Sequence, residues 1–135
     1  MPKYVATDHT ITVNGSAFST AIQSVELAFT ADELDTTGFG GSWRERVAGL
    51  RSGSVTLNFF QDFGASQVDA TLYPLLGSNA TVVIKPTSGT TTATNPAYTA
   101  VCVVTQYSPF TSAVGDIATL SVTWPTTGTV SRATA

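Results

Sequence analysis

Few side chains in this sequence could do covalent chemistry, and their spacing forms no catalytic set. His9 is the single histidine. It lies beside Asp8 in a polar segment, and no Ser-His-Asp arrangement can be built without it. Its neighbours favour a surface histidine over a general base. Asp32, Glu33 and Asp35 crowd three acids together, but without the alternating spacing of a calcium loop. A solvated acidic stretch is the expected state. Any two of the nine acids could meet in space, yet no spacing marks a glycosidase pair. Gly38-Phe39-Gly40-Gly41 lacks the lysine of a phosphate loop. The lone cysteine, Cys102, sits in the apolar run Ala100–Val104, where a buried, inert thiol is expected. No cofactor or metal is implied, and a non-enzymatic role is expected.

Arg44, Arg46 and Arg51 are half of the six basic residues. Such a cluster can hold phosphate, or it can pair with carboxylates. Glu45 and the Asp32–Asp35 acids are close in sequence, so salt bridges within or between subunits are favoured over nucleic-acid binding. Trp43 and Trp124 could form a carbohydrate platform. Each also abuts a strand end, where a packing role is favoured.

These residues stand out because the rest of the chain is nearly uncharged. Charged residues make up 11% of 135, and apolar residues 42%. An average soluble domain carries roughly 25% charge. A free monomer normally uses mixed surface charge to stay dispersed. This deficit therefore points to surface hidden against copies of the chain or a partner, with a Thr/Ser-hydrated secreted sandwich as the alternative. The net charge of −3 opposes nonspecific attraction to nucleic acid. No apolar run reaches the roughly 18 residues of a membrane span, and Met-Pro-Lys-Tyr-Val has no signal-peptide character. A soluble protein made in a cytoplasm is expected, with no membrane partner.

The elements that position these residues read mostly as strands. Ile11 and Val13 alternate with threonines before an Asn14-Gly15 turn. Val25, Leu27 and Phe29 alternate with Ser24, Glu26 and Ala28, and Val55, Leu57 and Phe59 with Thr56 and Asn58. Between these two strands, Ala31–Ser42 is polar and glycine-rich and reads as a long functional loop. Val68, Leu72, Leu75 and Leu76 share one helical face, with Ser66 as N-cap, Gly77 as stop and a kink at Pro74. Further strands are expected at Thr81–Lys85, Tyr98–Tyr107 and Ile117–Trp124, with a Thr-rich tip at Pro86–Pro96. The tail after Pro125 reads as flexible. With no repeat and no linker, residues 1–135 read as one domain. The expected fold class is mainly β: two packed antiparallel sheets, as a sandwich or barrel, with one short flanking helix.

The run Arg46-Val47-Ala48-Gly49-Leu50-Arg51-Ser52-Gly53-Ser54-Val55-Thr56-Leu57-Asn58-Phe59-Phe60-Gln61-Asp62, the helix Val68–Leu76 and the last strand Ala118–Trp124 carry a resemblance. Together with the element order, they resemble the major tail tube protein of long non-contractile-tailed bacteriophages. That family shares its core with the tubes of contractile tails and type VI secretion systems. The resemblance implies a virion protein of the tail, assembled in the host cytoplasm. It implies hexameric rings, each subunit giving four strands to a continuous barrel, stacked into a tube for genome delivery. The long loop, here 31–42, would reach a neighbouring subunit or ring. The terminal arms, 1–7 and 126–135, would order on assembly. The implied partners are copies of the chain, tape-measure protein and genomic DNA in the channel, and terminator and tip proteins.

Within that frame, Glu26, Thr56, Asn58, Thr119, Ser121 and Thr123 alternate with the core positions and are the candidate channel wall. Asp32, Glu33, Asp35, Arg44, Arg46 and Arg51 are the candidate contacts between subunits or rings. A tail terminator or head–tail joining ring is the nearest alternative. A carbohydrate-binding sandwich using Trp43 or Trp124 is the alternative from another class.

Overall fold

Period-two alternation organises both sheets. The computed structural model describes residues 3–134. In it Val55, Leu57 and Phe59 are fully buried on strand β4 (Arg46–Phe60), while Thr56, Asn58 and Phe60 face the other way. β4 is the centre of a three-stranded antiparallel sheet with β3 (Ile22–Asp35) and β7 (Thr119–Pro125). Its register sets Val25, Leu57 and Val122 in one row and Leu27, Val55 and Trp124 in the next. The second sheet has the order β2-β1-β5-β6-β8, formed by Ser16–Ala17, Thr10–Val13, Asn79–Lys85, Ala97–Val103 and Ser131–Ala133. Its inward row includes Ile11, Val13, Val82, Ala100 and Cys102. The two rows close one core around Trp124, whose indole N–H donates to Gln106 O at 3.1 Å. Each fully buried Val, Leu or Phe contributes roughly 1.5–3 kcal/mol through apolar burial. The fold is thus mainly β with two packed antiparallel sheets and one short helix, as the alternation implies.

Turn chemistry fixes the second sheet. Asn14 and Gly15 have φ of 50° and 84°, the geometry of a two-residue primed hairpin. The Asn14 side chain also accepts from Thr81 N at 2.8 Å, tying the β1–β2 hairpin to β5. The Thr-rich tip between β5 and β6 is organised by buried Asn95. Its amide accepts from Thr87 N and donates to Gly89 O and Thr90 O.

The helix is shorter than its apolar period suggests. Helix α1 spans Val68–Leu72 and tightens into a 3-10 turn at Tyr73–Leu75. Pro74 has no N–H for an α-helical bond, so the chain narrows and leaves the helix. Val68 and Leu72 are buried and Leu75 packs at the core margin, but Leu76 is turned outward. Gln67, not Ser66, is the N-cap, and Ser66 lies in the left-handed region at φ 60°. Gly77, at φ 85°, ends the element as expected.

Other expectations shift. β3 continues to Asp35 and β4 begins at Arg46, so 31–35 is strand while 36–42 stays a loop, and the two strands form a hairpin arm. Phe29 is 53% exposed, because it lies at the margin of the second sheet's cover, where its ring sits beside Tyr98 with centroids 6.2 Å apart. β6 stops at Val103, and β7 starts at Thr119. The tail pairs with β6 through β8, with Tyr98 opposite Arg132. The expected arm residues 1, 2 and 135 lie outside the described residues. The sheet built on β4 has three strands where the resemblance implies four. The segment after β6 lies along its β7 edge without joining the ladder.

Candidate functional site

The six candidate wall residues share one surface. Glu26, Thr56 and Thr123 form one cross-strand row, Asn58 and Ser121 sit in the next with Ser24, and Thr119 lies opposite Phe60. Thr56 and Thr123 hydroxyls are 3.2 Å apart, and the Asn58 amide donates to Ser24. These rows alternate with the buried ones, so they face away from the core. Among these six, the single charge is the Glu26 carboxylate.

Both margins of this sheet are edges. Ala118 O accepts from Gln61 N, and Thr126 N donates to Gly53 O. Even-numbered β7 residues therefore bond β4, and Thr119, Ser121 and Thr123 direct their backbone groups outward. On the far side, Ser24 pairs with Asn58 in the β3–β4 ladder, which leaves Val25, Leu27 and Phe29 directing theirs outward. An unpaired edge of this length is a template for another strand.

Beyond the core, β3 and β4 continue as the exposed arm. Ala31 pairs with Arg51 but Glu33 pairs with Ala48, so β4 holds one extra residue at Gly49-Leu50. This β-bulge is the structural meaning of the Gly-Leu step. A Cβ on Gly49 would lie 3.1 Å from Asp32 Cβ and 3.3 Å from a Leu34 methyl, closer than ordinary packing allows.

The bulge sorts the arm into two faces. Glu33, Asp35, Arg46 and Ala48 lie on one, Leu34 and Val47 on the other. Arg44 pairs with Asp35 at 2.5 Å, and Arg46 pairs with Glu33. The Thr37 backbone N–H and then its hydroxyl hold the Asp35 carboxyl below its usual range against the effect of desolvation, and Arg44 adds the smallest effect. The structure thus places two candidate arginines in pairs within the chain. Asp32 and Arg51 have no ion pair among the described residues. Phe39, Trp43 and Leu50 are widely exposed on the same arm.

The remaining sequence candidates separate. Trp124 is fully buried and cannot serve as a carbohydrate platform, whereas Trp43 is 85% exposed. Tyr4 Oη and His9 Nε2 are 3.0 Å apart. Asp8 instead accepts from the Ser88 N–H and hydroxyl, which lower its pKa. Burial pushes the Cys102 thiol up to about 11, so it stays protonated. Among the described residues, no three His, Cys, Asp or Glu side chains could hold a metal ion. No described helix is long and apolar enough to cross a membrane. Sequence reasoning missed the apolar exposure of Phe63, Phe110, Val114 and Ile117, at the end of the sheet opposite the arm. The run Pro109–Ile117 carried that signal, since it has large apolar residues but no period.

No protein-family model matches the chain, and no curated protein sequence does. Solved structures share the fold. A chain of the native gene transfer agent virion superposes with a TM-score of 0.74 at 16% identity, covering 93% of this chain and 95% of that one. A chain of the tail of an empty gene transfer agent particle, solved by helical refinement with C6 symmetry, gives 0.66 at 18% identity. It covers 85% of this chain and 83% of that one. The chain has the fold of components of a phage-like particle and its tail.

Proposed function

We propose that this chain is a structural subunit of a phage-like tail, and that copies of it form the tail tube. One observation carries the reading: a three-stranded sheet that is polar and almost uncharged on its outer face, with neither edge paired to another strand. Pairing β7 of one copy with β3 of the next satisfies both rows of backbone groups, and closure into a ring leaves none exposed. The fold shared with a C6-symmetric tail supports a ring of about six copies.

In such a ring Glu26, Thr56, Asn58, Thr119, Ser121 and Thr123 face the bore. Hydroxyls, amides and a carboxylate offer phosphates no cation to hold, so DNA or a tape-measure protein slides past. The arm reaches the next subunit or ring. Its internal ion pairs stiffen it, while Asp32, Arg51 and the exposed apolar residues make the contact. Terminator and tip proteins bound the tube, which is built in the host cytoplasm and ends in the virion.

Electron microscopy of the purified protein tests this directly. Tubes with a hollow core are expected, and single rings would instead favour a terminator or joining role. Monodisperse single chains at high concentration, with no annular or tubular species after seeding with tube fragments, would overturn the proposal.

A further inference from the structure

The segment 105–118 has neither helix nor strand, yet it is tied down along the outer edge of β7. The Gln106 amide donates to Thr123 O at 2.9 Å, and the Thr111 hydroxyl donates to Thr119 O. Numbers rise along the segment as they fall along β7, which is the order of an antiparallel partner. The bonds, however, come from side chains, where a strand would use its backbone. They occupy outward carbonyls of the edge that ring closure needs. A second clamp holds the segment's near end. Tyr107 Oη donates to Asp69 Oδ1 at 2.5 Å, and the Gln61 amide donates to Pro109 O at 2.9 Å. Pro109 has no N–H, so the segment is poorly suited to continue a ladder itself.

We propose that Gln106–Thr111 is a detachable cover over the β7 edge. It keeps a single chain from pairing through that edge and is displaced when β3 of a second copy arrives. This rests on the reading that β7 pairs with β3 of a neighbour. The exchange runs toward assembly because two exposed side-chain bonds give way to a continuous backbone ladder. The cover is a form of edge protection, and unprotected edges pair indiscriminately. The Trp124 indole bond to Gln106 O and the clamp through Tyr107 and Asp69 keep the segment attached at its root, where only the Gln106 side chain lets go, while its far end, with Phe110 stacked on Phe63 at 5.5 Å, swings away.

Gln106 and Thr111 are both exposed, so Q106A/T111A removes the two bonds without touching the core. Circular dichroism and the thermal midpoint should match the parent. Sedimentation velocity should show self-association beginning at a concentration lower by about fivefold or more, as expected for two side-chain bonds. Adding S121P, which deletes an outward donor of β7, should cancel that gain. An unchanged threshold in the folded double variant overturns the cover, and so does a lowered threshold that S121P leaves in place. Hydrogen exchange on the parent protein gives a second measure. On assembly, peptides within 119–123 should gain protection, because the outward N–H groups of Thr119, Ser121 and Thr123 acquire partners; unchanged exchange there overturns the displacement of the cover. Edge-paired dimers of the double variant that never close into rings would uphold the cover and sink the tube. Tubes in which Gln106 still bonds Thr123 would do the reverse.

Discussion

At the scale of single residues, Gly49 and Asp35 do more for the arm than its exposed position suggests. The bulge at Gly49 sets Glu33, Asp35 and Arg46 on the face opposite Leu34 and Val47, and it works because no Cβ intrudes on Asp32 and Leu34. In Gly49→Ala those neighbours must shift, far from the core. The expected outcome is a thermal midpoint close to the parent's, with faster hydrogen exchange in 46–51 and shorter or fewer tubes. Trp124 is the opposite case, buried and hydrogen-bonded between the sheets. Trp124→Ala should cost about 3–5 kcal/mol in denaturant unfolding. Two ionisable groups carry opposite pH signatures. The Asp35 pKa is lowered, so its bonds to Thr37 are in place above the ordinary carboxylate range and are lost as pH falls through the depressed value. An NMR titration should place its midpoint below the ordinary 3.8. Burial, and then the bond to Asp69, push the Tyr107 phenol up to about 12 from an ordinary 10. Its contribution is therefore complete below pH 10 and lost as pH rises toward 12. A phenolate absorbance titration should show one late-ionising tyrosine that Tyr107→Phe removes.

At the scale of elements, what could be read in advance depended on whether a segment faces a core. β4 was legible because Val55, Leu57 and Phe59 are buried while Thr56 and Asn58 are not, and a strand writes that contrast at every second position. The polar wall followed from the same parity. The arm reads as a loop in the sequence because nothing covers it: with both faces exposed, Asp32 and Leu34 leave no contrast to detect. The end of α1 was half legible, since Pro74 announces a break but not the turn that sends Leu76 outward. The segment after β6 is legible as a loop from Pro109 and Gly115, but its attachment is not, because bonds made by side chains hold it and no period records such bonds. The arm's ion pairs give this scale its prediction. Exposed pairs contribute about 0–1 kcal/mol each, so Arg46→Glu should leave the monomer folded. It also places two carboxylates side by side with Glu33, which should splay the arm. Microscopy should show folded monomers that fail to elongate; normal tubes would mean the arm's shape is irrelevant to stacking.

At the scale of the whole molecule, the low charge and the polar sheet face combine into a claim about transport. Three of the six basic residues are on the arm, and the outer face of the β3-β4-β7 sheet presents hydroxyls and an amide in register from strand to strand. If rings close through β3 and β7, that face is repeated around the bore. A substitution on it then repeats with the ring symmetry, so a small change per chain becomes a dense band of charge. Thr56 and Ser121 accept such a change well, because both lie on the outer face and neither is part of the core. T56K/S121K should assemble as the parent does and convert the bore into a phosphate-binding surface. Each phosphate neutralised releases counterions, which steepens the fall of log affinity with log salt by about 0.9 per contact. Tubes of the variant should therefore retain double-stranded DNA at low salt and shed it steeply as salt rises. Parent tubes should retain little at any salt. Strong, salt-sensitive DNA retention by the parent would mean that cations line the bore, and that the polar face of this sheet points elsewhere.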